Sequence, residues 1–150
     1  MLDLNVYHVA GLMQKFQVKF VQRGKSGKRS GMIALSSIRA QYVMSGRFLY
    51  CATKAFVKYL SLALKWEAEA NDAKVDILSL QPYFVATRMV AAWKGTEGKK
   101  ITVEECVSAA LRDLGKEETT YGPFLHEKWG YISTVKFKLC QLLGVQFDIA

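Results

Sequence analysis

The chain has 150 residues, 51 % of them hydrophobic, two prolines and a formal net charge of +8. That length and composition predict one domain over residues 1–150 with a packed core, and they exclude a disordered or low-complexity chain. No run of about 18 uncharged apolar residues occurs, which excludes an evident membrane-spanning helix, and Met1-Leu2-Asp3-Leu4-Asn5 lacks the basic-then-apolar order of a secretory signal, so the chain reads as not secreted.

Residues 4–22 place Val6, Val9, Ala10, Met13, Phe16 and Phe20 at three- and four-residue steps, which predicts an amphipathic helix. It runs into a stretch bearing Arg23, Lys25, Lys28 and Arg29 among glycine and serine. No aromatic-interleaved motif accompanies these charges, so they read as a solvated loop and not as a nucleic-acid surface. Gly31-Met32-Ile33-Ala34-Leu35, followed by Ser36-Ser37, predicts a short strand buried on both faces of a parallel sheet.

A long helix is expected from Tyr50 to about residue 70, with Ala52, Ala55, Phe56, Tyr59, Leu60, Ala63 and Leu64 on one side and Asn71-Asp72 closing it. Val75-Asp76-Ile77-Leu78-Ser79-Leu80 predicts the next strand, ended by Pro82, which has no amide to give a ladder. Residues 83–101 read as irregular or weakly helical. Thr102-Val103-Glu104-Glu105 has capping-box spacing and starts a helix to about residue 114. Gly122-Pro123-Phe124-Leu125 suggests a short last strand, and residues 131–143 a terminal helix with Val135, Leu139 and Leu142 on one stripe. The aromatic-rich stretch from Trp129 to Phe147 reads as core, with a substrate lid or a membrane-surface helix as the alternatives.

Alternation of helices and strands predicts an α/β layered fold with parallel strands joined by crossovers. In such sheets ligands bind beyond the carboxyl ends of the strands. Ser36-Ser37 and Pro82-Tyr83 sit at two such ends. Tyr50-Cys51-Ala52-Thr53-Lys54 puts a phenol and an amine on one helix face, one turn apart. A tyrosine titrates near pH ~10, too high for proton exchange at neutrality, and a neighbouring ammonium favours its phenolate. Ser37 precedes Tyr50 by 13 residues at the end of a strand, where its hydroxyl would meet a substrate oxygen and the phenol. Asn5, in the preceding helix, would hold a water that relays protons from the lysine.

Other residues have blander readings. Cys51, Cys106 and Cys140 are far apart, with no Cys/His ligand spacing, which predicts free thiols and no metal site. His8 on a helix and His126 in a loop read as surface or structural residues. Gly24-Lys25-Ser26-Gly27-Lys28 lacks Walker spacing and precedes a strand, so it is no phosphate loop.

This Asn/Ser/Tyr-x-x-x-Lys arrangement resembles the short-chain dehydrogenase/reductase family, especially its very-long-chain 3-oxoacyl-CoA reductases and 17β-hydroxysteroid dehydrogenases. The likeness rests on Ile33-Ala34-Leu35-Ser36-Ser37, on Tyr50-Cys51-Ala52-Thr53-Lys54-Ala55-Phe56 and on Pro82-Tyr83-Phe84-Val85-Ala86-Thr87. Tyr121-Gly122-Pro123-Phe124-Leu125-His126 adds a final-strand match to the acyl and steroid subgroup. The resemblance implies the carboxyl-terminal portion of a Rossmann-like doubly wound sheet and NADPH-dependent reduction of a 3-oxoacyl-CoA or steroid ketone. It implies Tyr50 as general acid, Ser37 steadying the carbonyl oxygen, Lys54 tuning the phenol and binding the nicotinamide ribose, and Asn5 supporting a relay water. It further implies Val85 and Thr87 against the nicotinamide carboxamide, and the two long helices as a homodimer contact.

The family's Thr-Gly-x-x-x-Gly-x-Gly turn and Asn-Asn-Ala-Gly segment do not occur in these residues. Glycines there let the backbone approach a pyrophosphate at a helix amino terminus. A sheet without its neighbouring strands keeps an unpaired edge that a partner would cover. The alternative reading is therefore a non-catalytic subunit of a larger assembly, derived from such an enzyme. The resemblance implies an endoplasmic-reticulum or mitochondrial setting.

Overall fold

The computed structural model describes residues 1–145. A π-helical turn, Asp3–Tyr7, runs directly into α1, His8–Lys25. The helix is longer than the apolar spacing predicts: Arg23 and Lys25, expected in a loop, form its last turn. Cations there oppose the negative end of the helix dipole. Strand β1, Ser30–Leu35, follows, then α2, Phe48–Ala70, and β2, Val75–Leu80. β1 and β2 pair in parallel, from Ser30 opposite Val75 to Leu35 opposite Leu80.

The segment expected to be irregular holds a small ladder of its own. β3, Phe84–Val85, pairs in parallel with β4, Lys100–Ile101. Helix α3, Val103–Asp113, begins at the expected capping box: Thr102 Oγ1 accepts from the Glu105 amide at 3.1 Å, and Glu105 accepts from the Thr102 amide at 2.7 Å. The last strand is not at Gly122-Pro123-Phe124-Leu125. It is β5, Thr119–Thr120, parallel to β2, giving a sheet of order β1-β2-β5. Pro123 instead heads α4, Phe124–Leu143, where its carbonyl accepts from the amides of His126 and Glu127. A proline at a helix entrance loses no helical hydrogen bond.

α4 thus starts a full two turns before the predicted 131. It continues through Gly130, a poor helix former; a larger residue is excluded there, since a Cβ would lie 2.7 Å from the Tyr121 ring. The buried stripe of α4 is His126, Gly130 and Ser133, with Phe137 against Tyr42. Val135, Leu139 and Leu142 do form a stripe, but it faces outward. The expectation that this stretch is core is corrected on that face; Phe147 lies outside the described residues.

Helices cover the sheet from two sides, as a doubly wound α/β fold requires. Met13 of α1 and Val57 of α2 pack on Ala34, and Ala68 with Phe20 packs on Val75 and Ile77. On the other side Cys106 and Ala110 of α3 pack with Leu80, Ile101 and Leu125. The apolar side of α2 is only partly used: Phe56 and Tyr59 are exposed, and Cys51, Thr53, Val57 and Ser61 are buried in their place. β1 also departs from expectation, being covered on one face only. Ile33 and Leu35 are 36 % and 60 % exposed, because β1 is the sheet's edge and α3 packs beside β2. Among the described residues no helix is long and apolar enough to cross a membrane.

Candidate active site

The two serines that follow β1 part company, as successive residues of extended chain do. Ser36 turns inward, its Oγ donating to the Lys54 carbonyl at 2.7 Å and its amide to Leu80 at 2.8 Å. The strand end is thereby tied to both α2 and β2. Ser37 has extended backbone and caps the short turn Ile38–Ala40, its Oγ accepting from the Arg39 amide at 3.2 Å. It is buried, and its side of the chain lines a cavity of about 640 Å³.

Tyr50 lies in the first turn of α2 and lines the same cavity. Lys54 is one turn further on. Its Nζ donates to the Leu35 carbonyl at 3.0 Å and stands 5.8 Å from the centre of the Tyr50 ring. The Leu35 carbonyl closes the open edge of β1, so this contact anchors the lysine where the strand ends. Burial holds the Lys54 amine below its ordinary pKa, since desolvation disfavours the ammonium.

Val85 and Thr87, in and just after β3, line the same cavity. The Ala86 amide donates to Ile101 at 2.8 Å, and the Thr87 amide to the Val85 carbonyl at 2.7 Å, which fixes this wall to β4. Four of the six predicted residues therefore share one cavity, with Lys54 behind Tyr50. Asn5 does not meet Lys54. Its Nδ2 donates to Thr53 Oγ1 at 3.3 Å, and Thr53 in turn donates to the Tyr50 carbonyl at 2.9 Å. Thr53 and Lys54 are adjacent in sequence but point about 100° apart around a helix.

Sequence reading missed several residues here. His126 is a fully buried member of the first turn of α4, not a loop residue. Its Nδ1 accepts from the Tyr83 amide at 3.1 Å and its Nε2 donates to the Phe84 carbonyl at 3.2 Å, which sets the neutral tautomer. Burial pushes its pKa down. Its role is structural, holding the backbone that leads into Val85. Buried Gln81 accepts from Gln41, which accepts from Lys58 Nζ at 2.9 Å. Burial lowers the Lys58 pKa as it does that of Lys54. Arg39, Arg47, Phe84 and Trp93 line the cavity as well. Only the long-range contacts reveal them, because no local spacing marks them.

The volume falls in the range of small-ligand and cofactor sites, ~300–1,000 Å³, and its polar side chains include, beside the two arginines, the phenol of Tyr50 and the hydroxyls of Ser37 and Thr87. That donor set suits proton exchange with a carbonyl or alcohol oxygen. Residues 1–98 match the family model described as short chain dehydrogenase. The chain belongs to the short-chain dehydrogenase family. This family is one of oxidoreductases. Its very-long-chain 3-oxoacyl-CoA reductase-A from Danio rerio is 29% identical over 135 residues, covering 90% of this chain and 40% of that protein. The Homo sapiens very-long-chain 3-oxoacyl-CoA reductase is 29% identical over 132 residues, covering 88% and 40%. The chain thus spans about 40% of the length of the curated relatives it matches.

Solved family structures share the fold. A 7β-hydroxysteroid dehydrogenase superposes with TM-score 0.77 at 20% identity, over 96% of this chain and 57% of that one. A short chain dehydrogenase from Burkholderia cenocepacia, in complex with NADP, gives 0.74 at 18% identity, over 98% and 58%. The Rossmann-type sheet of this family is therefore the architecture of β1, β2 and β5.

Proposed function

We propose that this chain carries the proton-transfer half of a ketone reductase site, with Tyr50 as the donor to the carbonyl oxygen. The carrying observation is that Tyr50 and Ser37 open on one cavity while the Lys54 ammonium stands 5.8 Å from the Tyr50 ring. A developing alkoxide takes the phenol proton, and the Ser37 hydroxyl donates a second hydrogen bond to the same oxygen. Lys54, pinned by Leu35, favours the phenolate that is left. Solvent protons then return to Tyr50; Asn5, tied through Thr53 to the Tyr50 backbone carbonyl, steadies the first turns of α2 that carry the phenol.

A nicotinamide dinucleotide fits the residues present, because Val85 and Thr87 line the cavity of cofactor size on which Tyr50 opens, and Lys54 stands one helical turn behind that phenol. Those three residues would hold its nicotinamide end, with NADPH as the form the family likeness favours. When bound, it supplies the hydride that reduces the carbonyl carbon. The substrate class in this reading is a 3-oxoacyl-CoA or a steroid ketone, in keeping with the names of the relatives and with a largely apolar lining of residues such as Phe84, Met89 and Trp93. The exposed apolar side chains of α1 and α2, Phe16, Phe56 and Tyr59, support a homodimer through these helices.

The test follows NADPH loss in the presence of a 3-oxoacyl-CoA. Tyr50→Phe is expected to lower turnover by about 10²–10⁴-fold. Equal rates in the variant, or no cofactor binding at millimolar concentration, would overturn the reading. A second reading, a non-catalytic subunit, is favoured by the exposed Ile33 and Leu35 at the sheet edge. A native mass measurement that returned a well-behaved monomer would count against it.

A further inference from the structure

Among the residues that line the Tyr50 cavity, Arg39 and Arg47 are charged and no carboxylate is present. Both arise between Ser37 and Tyr50 in the chain. Their situations differ. Arg39 is committed to Tyr42: its Nη1 donates to the Tyr42 hydroxyl at 3.4 Å, and its guanidinium lies 5.5 Å from that ring centre. Arg47 is exposed, and among the described residues no carboxylate pairs with it.

Arg47 is nonetheless held in place. Its guanidinium carbon lies 5.2 Å from the centre of the Trp93 ring. Trp93 meets Phe84 edge-on at 5.9 Å, and Phe84 meets Tyr83 at 4.2 Å, on the backbone that His126 fixes. A guanidinium resting on an aromatic face keeps its N–H fork at the rim, directed away from the ring. That fork matches a carboxylate or phosphate with two parallel hydrogen bonds. The segment that carries Trp93 adds Arg88, Lys94, Lys99 and Lys100 against Glu97 alone, which raises the local positive potential.

We propose that this cavity selects ligands with a long apolar body and an anionic headgroup, and that Arg47, braced on Trp93, is the residue that reads the headgroup. The inference deepens the reductase reading, since it concerns the same cavity, but it is tested by binding and not by turnover. The shared chemistry is an oxyanion, supplied either by the carboxylate of a keto acid or by the phosphate of a carrier group.

Tryptophan emission of the full chain, titrated with dodecanoate, methyl dodecanoate and dodecyl phosphate, decides the matter, with Trp93→Phe identifying the responding indole. One or both anions are expected to bind at least about ten-fold tighter than the ester, as a charge-assisted pair supplies. Arg47→Met should abolish that preference while leaving the ester within about two-fold, and Arg47→Lys should restore it in part. Stronger retention of dodecanoate points to a keto acid, and of dodecyl phosphate to a carrier phosphate; either supports the inference. Equal binding of ester and anions, or equal weakening of all three ligands in Arg47→Met, would overturn it. Tyr50→Phe separates the two readings: turnover lost with anion preference intact upholds both, and preference lost with the phenol removes this one. A wild-type chain that discriminates charge but never turns over NADPH sinks the reductase reading and leaves the headgroup reading standing.

Discussion

Strands β1 and β2 are both six apolar-rich residues, aligned residue for residue, yet they do different work. β2 lies between two strands, and Ile77, Leu78, Ser79 and Leu80 are all buried. β1 lies at the edge, with Ile33 and Leu35 open on one face, but its carboxyl end delivers Ser37 and the carbonyl that anchors Lys54. Neighbours, and not hydropathy, set how deeply a strand is buried. The central strand stabilises the fold, and the edge strand positions the chemistry.

Leu78→Ala tests the first half of that contrast. The side chain has no exposure, so its truncation should cost about 2–5 kcal/mol, read as a lower urea midpoint with an unchanged slope. His126→Leu comes next, at about 1–3 kcal/mol, because it strands the Tyr83 amide and the Phe84 carbonyl without partners. If the same variant retains full stability, the wall of the cavity is not held from α4.

Acid should separate these layers in order. His126 is held neutral by burial, so its folded pKa lies below 6.5 and the unfolded chain takes the proton first; stability falls as pH drops below that value. Asp113 behaves in the other usual way. Its carboxylate is paired with Arg112 and accepts from Thr120, so its pKa lies below 3.8; its contribution is present above that value and lost as pH falls through the depressed pKa. Urea midpoints against pH should lose the first step in His126→Leu and the second in Asp113→Asn. The smallest effect belongs to the edge: Ile33→Thr and Leu35→Thr should each move stability by no more than about 0.5 kcal/mol. A larger loss would show that this face is covered in solution and would erase the contrast.

What the sequence determined by itself is what local forces decide. Periodicity placed α1, α2, β1 and β2, the Thr102/Glu105 pair placed the start of α3, and a single helical turn brought Lys54 beside Tyr50. Ser37 was legible too, because a strand end is a place that the chain order defines. What only the tertiary structure decided depends on contacts between residues far apart in the chain. Tyr121 fills the space beside Gly130, β2 recruits Thr119–Thr120 as its partner, and His126 reaches back 43 residues to Tyr83. The apolar stripe of α4 could not announce that it faces outward, nor Arg47 that Trp93 would brace it. Propensity and spacing act over a few residues, whereas burial and stacking are settled only when the layers close on one another.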